Sequence, residues 1–570
     1  MKPLAAIADL PAPFAGRRLR ILFLVSAHNS LSQRVEIALT ALGHQVSVAV
    51  VASGLDMEAA VERYRPELIV CPMLKAIIPE SVFANHRCLV VHPGPKGDRG
   101  PSSLDWAIEL GAGEWGVTVL EAAAELDGGD IWATRTFPVR AGAGKSSLYR
   151  HEVRRAAVDA VVEAVTAVAA GDAAPEPLDY GDPGVTGQER PLLRQAERAI
   201  DWETDSADTV LRRIRAAEGH PGVLDSFDGA PFHLFGGHRE HALRGRPGEL
   251  IAQCDGAICR ATVDGAVWIT HLKAPTSYKL PATLALARAG QPVDLPEVTD
   301  ASYREIAYHE HGRVGHLYFD FYNGAMSTDQ CRRLLTAYQF ATARPHTRVI
   351  VLHGGRDFFS NGIHLNVIEA ADDQASESWW NLLAIDDLVR EILETDSHLV
   401  VAALAGDAAA GGVPFALAAD HVVAREDVVL NPYYQHMGGL YGSEYWTYLL
   451  PRRVGLRAAA ELTSAPFTAV GAARAVDIGL LDGAYGESVE DFRAAVGAFA
   501  DRLANDPEVP DLLEHKRDAR RRDERFKTLA AYRTEELARS HECFFGSDRS
   551  YHDARHRFVH KLGAPCTVPR

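Results

Sequence analysis

A chain of 570 residues exceeds what a single hydrophobic core organises, so two to four domains are expected. With 47% hydrophobic and 24% charged residues it reads as a soluble globular protein, and no apolar run reaches the roughly 18 residues of a membrane span. The net charge of −17 argues against general binding to nucleic acid or anionic membranes, while leaving room for a local basic pocket that takes a phosphorylated cofactor.

In chain order, "RILFLVSAHNS" predicts a strand and loop, "LSQRVEIALTALG" a helix ending at Gly43, and "HQVSVAVVA" a strand. "MEAAVERYRP" predicts a helix, "ELIVCPML" and "HRCLVVHPG" strands, and "SLDWAIELGAG" a helix. This alternation predicts a parallel, Rossmann-type α/β sheet with helices on both faces. The run "ILFLV" is too short for a secretory core and its basic residues directly precede it, so it reads as a first strand of a cytoplasmic protein. Around "DYGDPGVTGQERPLLR" the pattern lapses, which predicts a boundary. After the helix "DTVLRRIRAAEGHPG" come short strands with Asp228-Gly229, Asp255-Gly256 and Asp264-Gly265 turns, a small β-rich module. "APTSYKLPATLALARAGQPVDLPEV" reads as a Pro-containing connector, and a second alternating α/β unit starts near Tyr308 with a helical C-terminal part. The expected domains are 1–185, 186–275, a linker 276–305, and 306–570.

The seven cysteines lack a CxxC pair, which fits reduced thiols. His552, His556 and His560 recur at i, i+4, i+8, so one helix face could carry all three. A zinc site is one reading; a polar helix face in an Arg-rich tail is the simpler one, and no metal is assigned. The run "EHKRDARRRDERFK" reads as a solvated helix.

Ligands of parallel sheets sit beyond the carboxyl ends of the strands. His92, Ser26–Ser30 and Pro72–Lys75 all follow strands and should reach one crevice. A histidine there could act as a general base or donate to an oxyanion, and a carboxylate such as Asp127 would orient it. Taken alone, each reads first as a structural residue: a packed strand-end histidine and a turn-forming Asp before Gly.

The ordered set "VVHPG", the "RGP" turn, "GVT" and "LDGGDI" resembles the folate-dependent formyltransferases over about residues 20–180, and "AERAIDWETDSADTVLRRIRAAEGHPG" resembles the start of their small C-terminal barrel. That resemblance implies His92 and Asp127 as catalytic residues. It also implies a folate pocket involving Pro72, Met73, Leu74 and Lys75. The family's Asn two residues before the histidine is Val90 here, so another donor must polarise the formyl oxygen. Asn29, Gln33, Arg34 and Arg99 are the candidates.

"VIVLHGGRDFFSNGIHL" and "HLVVAALAGDAAAGGVPFALAADHVV" are strand–turn–helix passages whose small residues admit close backbone approach to a ligand. Together they resemble the crotonase (enoyl-CoA hydratase/isomerase) family over about residues 305–500. The resemblance implies an oxyanion hole from the N–H groups of Ile363 and Gly411. It also implies a CoA site that includes Asn323, Ala325, Phe359, Ser360, Gly362, Ala410 and Gly412. The two hydratase glutamates align with Pro414 and the vicinity of Tyr434, so no carboxylate is expected to activate water; Tyr434 is a candidate acid, base or donor and equally a packed aromatic.

The domain order resembles a family of hydrogenase maturation factors in which both folds are fused. The resemblance implies formyl transfer from 10-formyltetrahydrofolate to coenzyme A, then decarbonylation of the thioester to CO for a [NiFe]-hydrogenase iron. Hydrogenase maturation proteins would be the partners receiving it. The alternatives are hydrolysis to formate and a non-catalytic assembly scaffold that binds both ligands.

Overall fold

The computed structural model describes residues 17–171, 173–464 and 469–562; the segment before Arg17 and Cys566, both considered above, lie outside them. The chain divides into two units, Met1–Ala199 with Arg212–Gly222, and Ile200–Leu211 with Val223–Arg570.

In the first unit the strands β1 (Arg20–Val25), β2 (Gln45–Val50), β3 (Leu68–Cys71), β4 (Cys88–His92), β5 (Glu114–Glu121) and β6 (Ile131–Pro138) form one sheet in the order β2-β1-β3-β4-β5-β6. β1 to β4 run parallel, as the alternating pattern predicts, whereas β5 and β6 add an antiparallel edge. Residues Ile21 to Val25 are all buried, which is why β1 is a continuous apolar run and not an alternating one. The helix Ser30–Ala41 starts where Asn29 accepts from the Ser32 N–H, and Gly54–Tyr64 starts with a Ser53/Asp56 capping box. The helix Arg154–Ala170 buries Ala157, Ala160, Val161, Ala164 and Val165, a helical stripe of small side chains in the core of this sheet. The carboxyl ends of β1 and β3 are tied together: the Ser26 N–H donates to Met73 O at 2.8 Å, and the Lys75 N–H to Ser26 Oγ at 2.9 Å.

In the second unit, β7 (Val223–Phe227), β8 (Ala230–Glu240), β9 (Leu250–Cys254), β10 (Ala257–Ala261) and β11 (Ala266–Lys273) make an antiparallel sheet in the order β7-β8-β11-β10-β9. Two of the expected Asp-Gly turns have positive φ at both residues, 46° and 82° at Asp228-Gly229 and 50° and 79° at Asp255-Gly256, the geometry that closes tight hairpins. The stretch expected to be a plain connector carries β12 (Leu280–Pro281), which pairs with β11, and the helix Ala282–Arg288.

Among the described residues ten further strands follow: β13 (Ile306–His311), β14 (Val314–Phe319), β15 (Val349–His353), β16 (Phe358–Ser360), β17 (Leu399–Leu404), β18 (Asp407–Ala409), β19 (His421–Ala424), β20 (Val429–Asn431), β21 (Val470–Gly471) and β22 (Gly483–Ala484). They form a six-stranded sheet β13-β14-β15-β17-β19-β22 and a smaller one β16-β18-β20-β21. The strand ends after β16 and β18 are the two small-residue turns singled out in the sequence. The helices Gln374–Glu394 and Leu529–Phe545 carry Asp386 and Glu536, which accept from the N–H groups of Glu444 and Tyr445, and the helix Ser550–His560 meets the first of them through Tyr551 and Ser378. The charged run lies on the helix Val509–Phe526, largely solvated and cross-linked by pairs such as Arg520–Glu524 at 2.7 Å. Among the described residues no helix is long and apolar enough to cross a membrane.

Candidate functional sites

His92 closes β4 and is 5% exposed. Its Nε2 lies 2.9 Å from Asp98 Oδ2, and its Nδ1 lies 3.6 Å from Asp127 Oδ2. A singly protonated ring can donate to only one of these carboxylates; a second proton gives each ring nitrogen its own anionic partner. The expected partner Asp127 is therefore present, but the closer one is Asp98. Its other oxygen, Oδ1, is ion-paired with Arg190, whose guanidinium also lies 5.2 Å from the Trp115 ring centroid. The loop leaves no room for side chains at its glycines: a Cβ on Gly94 would sit 2.3 Å from Asp98 Oδ2 and 2.6 Å from His92 Nε2. Asp127 itself adopts φ +54°, and the Gly100 N–H points at its Oδ2 from 3.4 Å.

The segment read as a domain boundary belongs to this site. Gly187 N–H donates to Lys96 O, Arg99 N–H to Gln188 O and Arg190 N–H to Arg99 O, so 187–190 lies along the histidine loop and delivers Arg190. Sequence reasoning missed both Asp98 and Arg190. Asp98, six residues after the histidine in a Pro/Gly loop, left a signal; Arg190 left none.

Of the expected folate residues, Asn29 and Lys75 line a cavity of about 670 Å³. Lys145, Tyr149, Arg150 and Arg198 also line it. Arg198 is buried, with Nη2 on Asp105 Oδ1 at 2.8 Å and Nη1 lacking a hydrogen-bond partner among the described residues. Lys145 donates to both Asp105 oxygens, and burial pulls its ammonium below the ordinary lysine range. The lining can therefore hold an anionic group. Gln33 donates to His28 O, Arg34 is half-buried, Pro72 is buried, Met73 accepts from Ser26, and Leu74 packs on the apolar core. Arg99 bonds Leu126 O at 3.0 Å and Glu125 Oε1 at 2.6 Å, so of the four donor candidates it reaches the loop that carries Asp127.

The second site forms where the turns after β16 and β18 meet. A Cβ on Gly362 (φ +76°) would lie 3.1 Å from Gly411 N, and one on Gly412 1.9 Å from Ser360 O, so only glycine permits this approach. Among the described residues neither the Ile363 nor the Gly411 N–H donates to a backbone carbonyl. Asn323 and Ala325 lie on a loop held by Asn361, which donates to Asn323 O and Gly324 O at 2.7 Å. Ala410, half-buried at φ +45°, donates its N–H to Asn431 O at 2.8 Å. The side chains of Phe359 and Ser360 are buried: Phe359 packs with Phe319 and Phe415, and Ser360 accepts from the Gly362 N–H and donates to Met326 Sδ.

Pro414 is where the alignment put it, buried in the helix Gly412–Leu417. The expectation that no carboxyl group stands here is overturned. Glu444 is buried against the turn, so that a Cβ on Gly411 would fall 2.3 Å from its Oε1. Its Oε2 accepts from Tyr434 Oη at 2.9 Å and from the Ser443 N–H at 3.1 Å. Burial, then the nearby charge of Asp386, pushes the Glu444 carboxyl up to about 8. The Tyr434 phenol is likewise raised by burial and by Glu444. Behind them lie two more buried acids. Asp386 accepts from Glu444 N–H and Ser443 Oγ at 2.8 Å. Glu536 accepts from the N–H groups of Tyr445 and Thr447 at 2.9 and 2.8 Å. Their carboxyls are raised, chiefly by burial, to about 6 and about 8. These bonds hold Glu444 and Tyr445 at φ +58° each, a conformation that costs on the order of 1–3 kcal/mol per residue. Glu444 escaped sequence reasoning because it lies far along the chain from Gly411 and reaches that turn only through the fold.

Comparison with known proteins agrees with both folds. Residues 52–165 match "Formyl transferase", 192–289 "Formyl transferase, C-terminal domain" and 322–566 "Enoyl-CoA hydratase/isomerase". The chain is 50% identical, over 95% of both proteins, to the hydrogenase maturation factor HoxX of Bradyrhizobium diazoefficiens. It superposes with a TM-score of 0.91 on the crystal structure of HypX from Aquifex aeolicus in complex with tetrahydrofolic acid, at 42% identity over 96% of this chain and 97% of that one. Methionyl-tRNA formyltransferase of Bordetella pertussis is 31% identical over 42% of this chain and 72% of its own length.

Proposed function

The chain belongs to the HoxX family of hydrogenase maturation factors, and from that premise we propose that it makes CO for the iron of a [NiFe]-hydrogenase from the formyl group of 10-formyltetrahydrofolate. The formyl group passes first to the thiol of coenzyme A, and the thioester is then decarbonylated. Folate and CoA are its small-molecule partners, hydrogenase maturation proteins receive the product, and these substrates fit a cytoplasmic location.

In the first step a C–S bond forms, the C–N10 bond breaks, and one proton leaves sulfur while nitrogen gains one. His92 carries that proton; Asp98, anchored by Arg190, lies at its Nε2 and Asp127 at its Nδ1. Asn29 and Lys75 hold the folate, with the basic lining around Lys145 and Arg198 for an anionic part of a substrate.

In the second step the formyl C–H bond leaves its electron pair on carbon, the C–S pair goes to sulfur, and one proton moves from carbon to sulfur. The N–H groups of Ile363 and Gly411 stabilise the carbonyl oxygen, of order 10²–10³ in rate for one such donor. The Tyr434–Glu444 pair beside Gly411 is the observation that carries this reading. A carboxyl kept neutral by burial does not draw a proton from water, yet in one concerted step Glu444 gives its proton to sulfur while the Tyr434 oxygen takes the proton leaving the formyl carbon and passes its own hydroxyl proton to Glu444 Oε2. The same Glu444 also favours a second reading: once ionised it would activate water, and the thioester would yield formate.

The experiment is product analysis with an isotopically labelled formyl donor, with and without CoA. CO in the headspace that depends on CoA is the expected result. Labelled formate without CO selects hydrolysis, and an unconsumed donor selects the scaffold.

A further inference from the structure

The three histidines of the C-terminal helix do not act together. His552 turns inward, its Nε2 on Phe544 O at 2.9 Å and its Nδ1 on the buried Arg555 at 2.8 Å. His556 and His560, one turn apart, instead converge on Glu369 of the helix Leu365–Ala370. Glu369 Oε1 lies 2.7 Å from His556 Nδ1 and 3.4 Å from His560 Nε2, and the two rings are 4.2 Å apart between centroids. All three ligand atoms lie within 4.8 Å of one another.

We propose that Glu369, His556 and His560 form a binding site for a divalent transition ion of the zinc class. Bonds of about 2.0–2.1 Å in tetrahedral geometry separate neighbouring ligand atoms by roughly 3.3 Å, so the Glu369–His560 spacing already fits and His556 needs to give by about half an ångström. Two neutral imidazoles and one carboxylate are the donors zinc prefers, and two histidines at i, i+4 present them on one helix face. The supporting contacts are in place. Arg555, 2% exposed, donates to Glu369 Oε2 at 2.7 Å and through Nη2 to Gln374 Oε1 at 3.1 Å, which fixes the carboxylate with Oε1 turned toward the histidines. The Tyr278 ring meets His560 edge-on at 5.0 Å. His556 is half exposed, which provides an entry path and a position for a solvent ligand.

The ion would clamp the helix Ser550–His560 to the helix that begins just after Ile363, so it tightens the frame of the second site without touching the substrate.

The test uses the full chain without a polyhistidine tag, stripped by chelator and titrated with Co²⁺ and then Zn²⁺. The intact protein should take up one equivalent more than the His556→Ala/His560→Ala variant, with visible bands of four- or five-coordinate Co²⁺ that Zn²⁺ bleaches. Zn²⁺ should slow amide exchange in 365–370 and 550–560 in the intact protein alone. Glu369→Gln should weaken binding about tenfold or more. Equal uptake and equal spectra in the intact and double-variant proteins overturn the site, as does uptake that leaves exchange in both helices unchanged.

Discussion

At His92 each buried charge has its counter-charge: Asp98 is bracketed by the imidazole and Arg190, and Asp127 stands at the other ring nitrogen. At Tyr434 the carboxyl of Glu444 is answered by a phenol and a backbone N–H, with Asp386 and Glu536 behind it. The first arrangement sets its acids against a guanidinium and an imidazole, whereas the second raises its acids by burial, so that Glu444 and Glu536 hold their protons up to about pH 8. The difference matches the two proton tasks proposed. Transfer from nitrogen to sulfur needs a group that both takes and gives a proton, whereas release of CO needs a proton donor that leaves water alone.

The most damaging change should be His92→Ala. It removes the proton carrier and leaves Asp98 facing a void, and donor consumption should fall by about 10³-fold or more while CoA binding persists. Donor turnover close to the intact protein's would remove His92 from the chemistry.

Tyr434→Phe should slow CO release by about 10²-fold and loss of the donor's formyl group much less, so formyl thioester accumulates. Glu444→Gln keeps a hydrogen bond to Tyr434 without a titrating proton, and should come close to the same loss. If Glu444→Gln instead raises CO output at the expense of formate, the carboxyl is a water activator and the comparison fails.

The acids of the second site also predict a pH dependence of opposite sense to ordinary surface carboxylates. Asp386, Glu444 and Glu536 titrate higher in the folded chain, so the stability tied to their neutral forms is complete below about pH 4 and lost as pH rises toward about 8. The unfolding temperature should decline between about pH 4 and 8, and Glu444→Gln should flatten that decline. CO release should fall, up to tenfold per pH unit, above about pH 8.

Much of this was legible in the sequence, and unevenly so. The apolar runs of β1, β3 and β4 and the Asp-Gly hairpins announce themselves because a local rule fixes each. His92, Asp127, Gly362 and Gly411 sit at strand ends inside motifs with fixed spacing. The missing members, Arg190, Glu444 and Glu369, are each supplied by a segment far along the chain. Arg190 lies in a stretch whose Gly/Pro content spoke for a boundary, because glycines that admit close packing look the same as glycines that admit flexibility: Gly187 is there since a Cβ would fall 2.0 Å from Asp98 N.

The smallest effect is expected at Arg99, one of the four candidates for the formyl-oxygen donor that Val90 cannot provide. Arg99 already spends its guanidinium on Leu126 O and on Glu125, an exposed carboxylate, and exposed pairs contribute about 0–1 kcal/mol. As a brace for the Asp127 loop, its replacement by Gln should change the rate of formyl transfer less than about fivefold, mostly in the KM for the folate donor. A loss beyond tenfold confined to kcat would mean that the guanidinium leaves Glu125 for the formyl oxygen during the reaction. The first site would then rely on a mobile cation where the second relies on fixed backbone N–H groups.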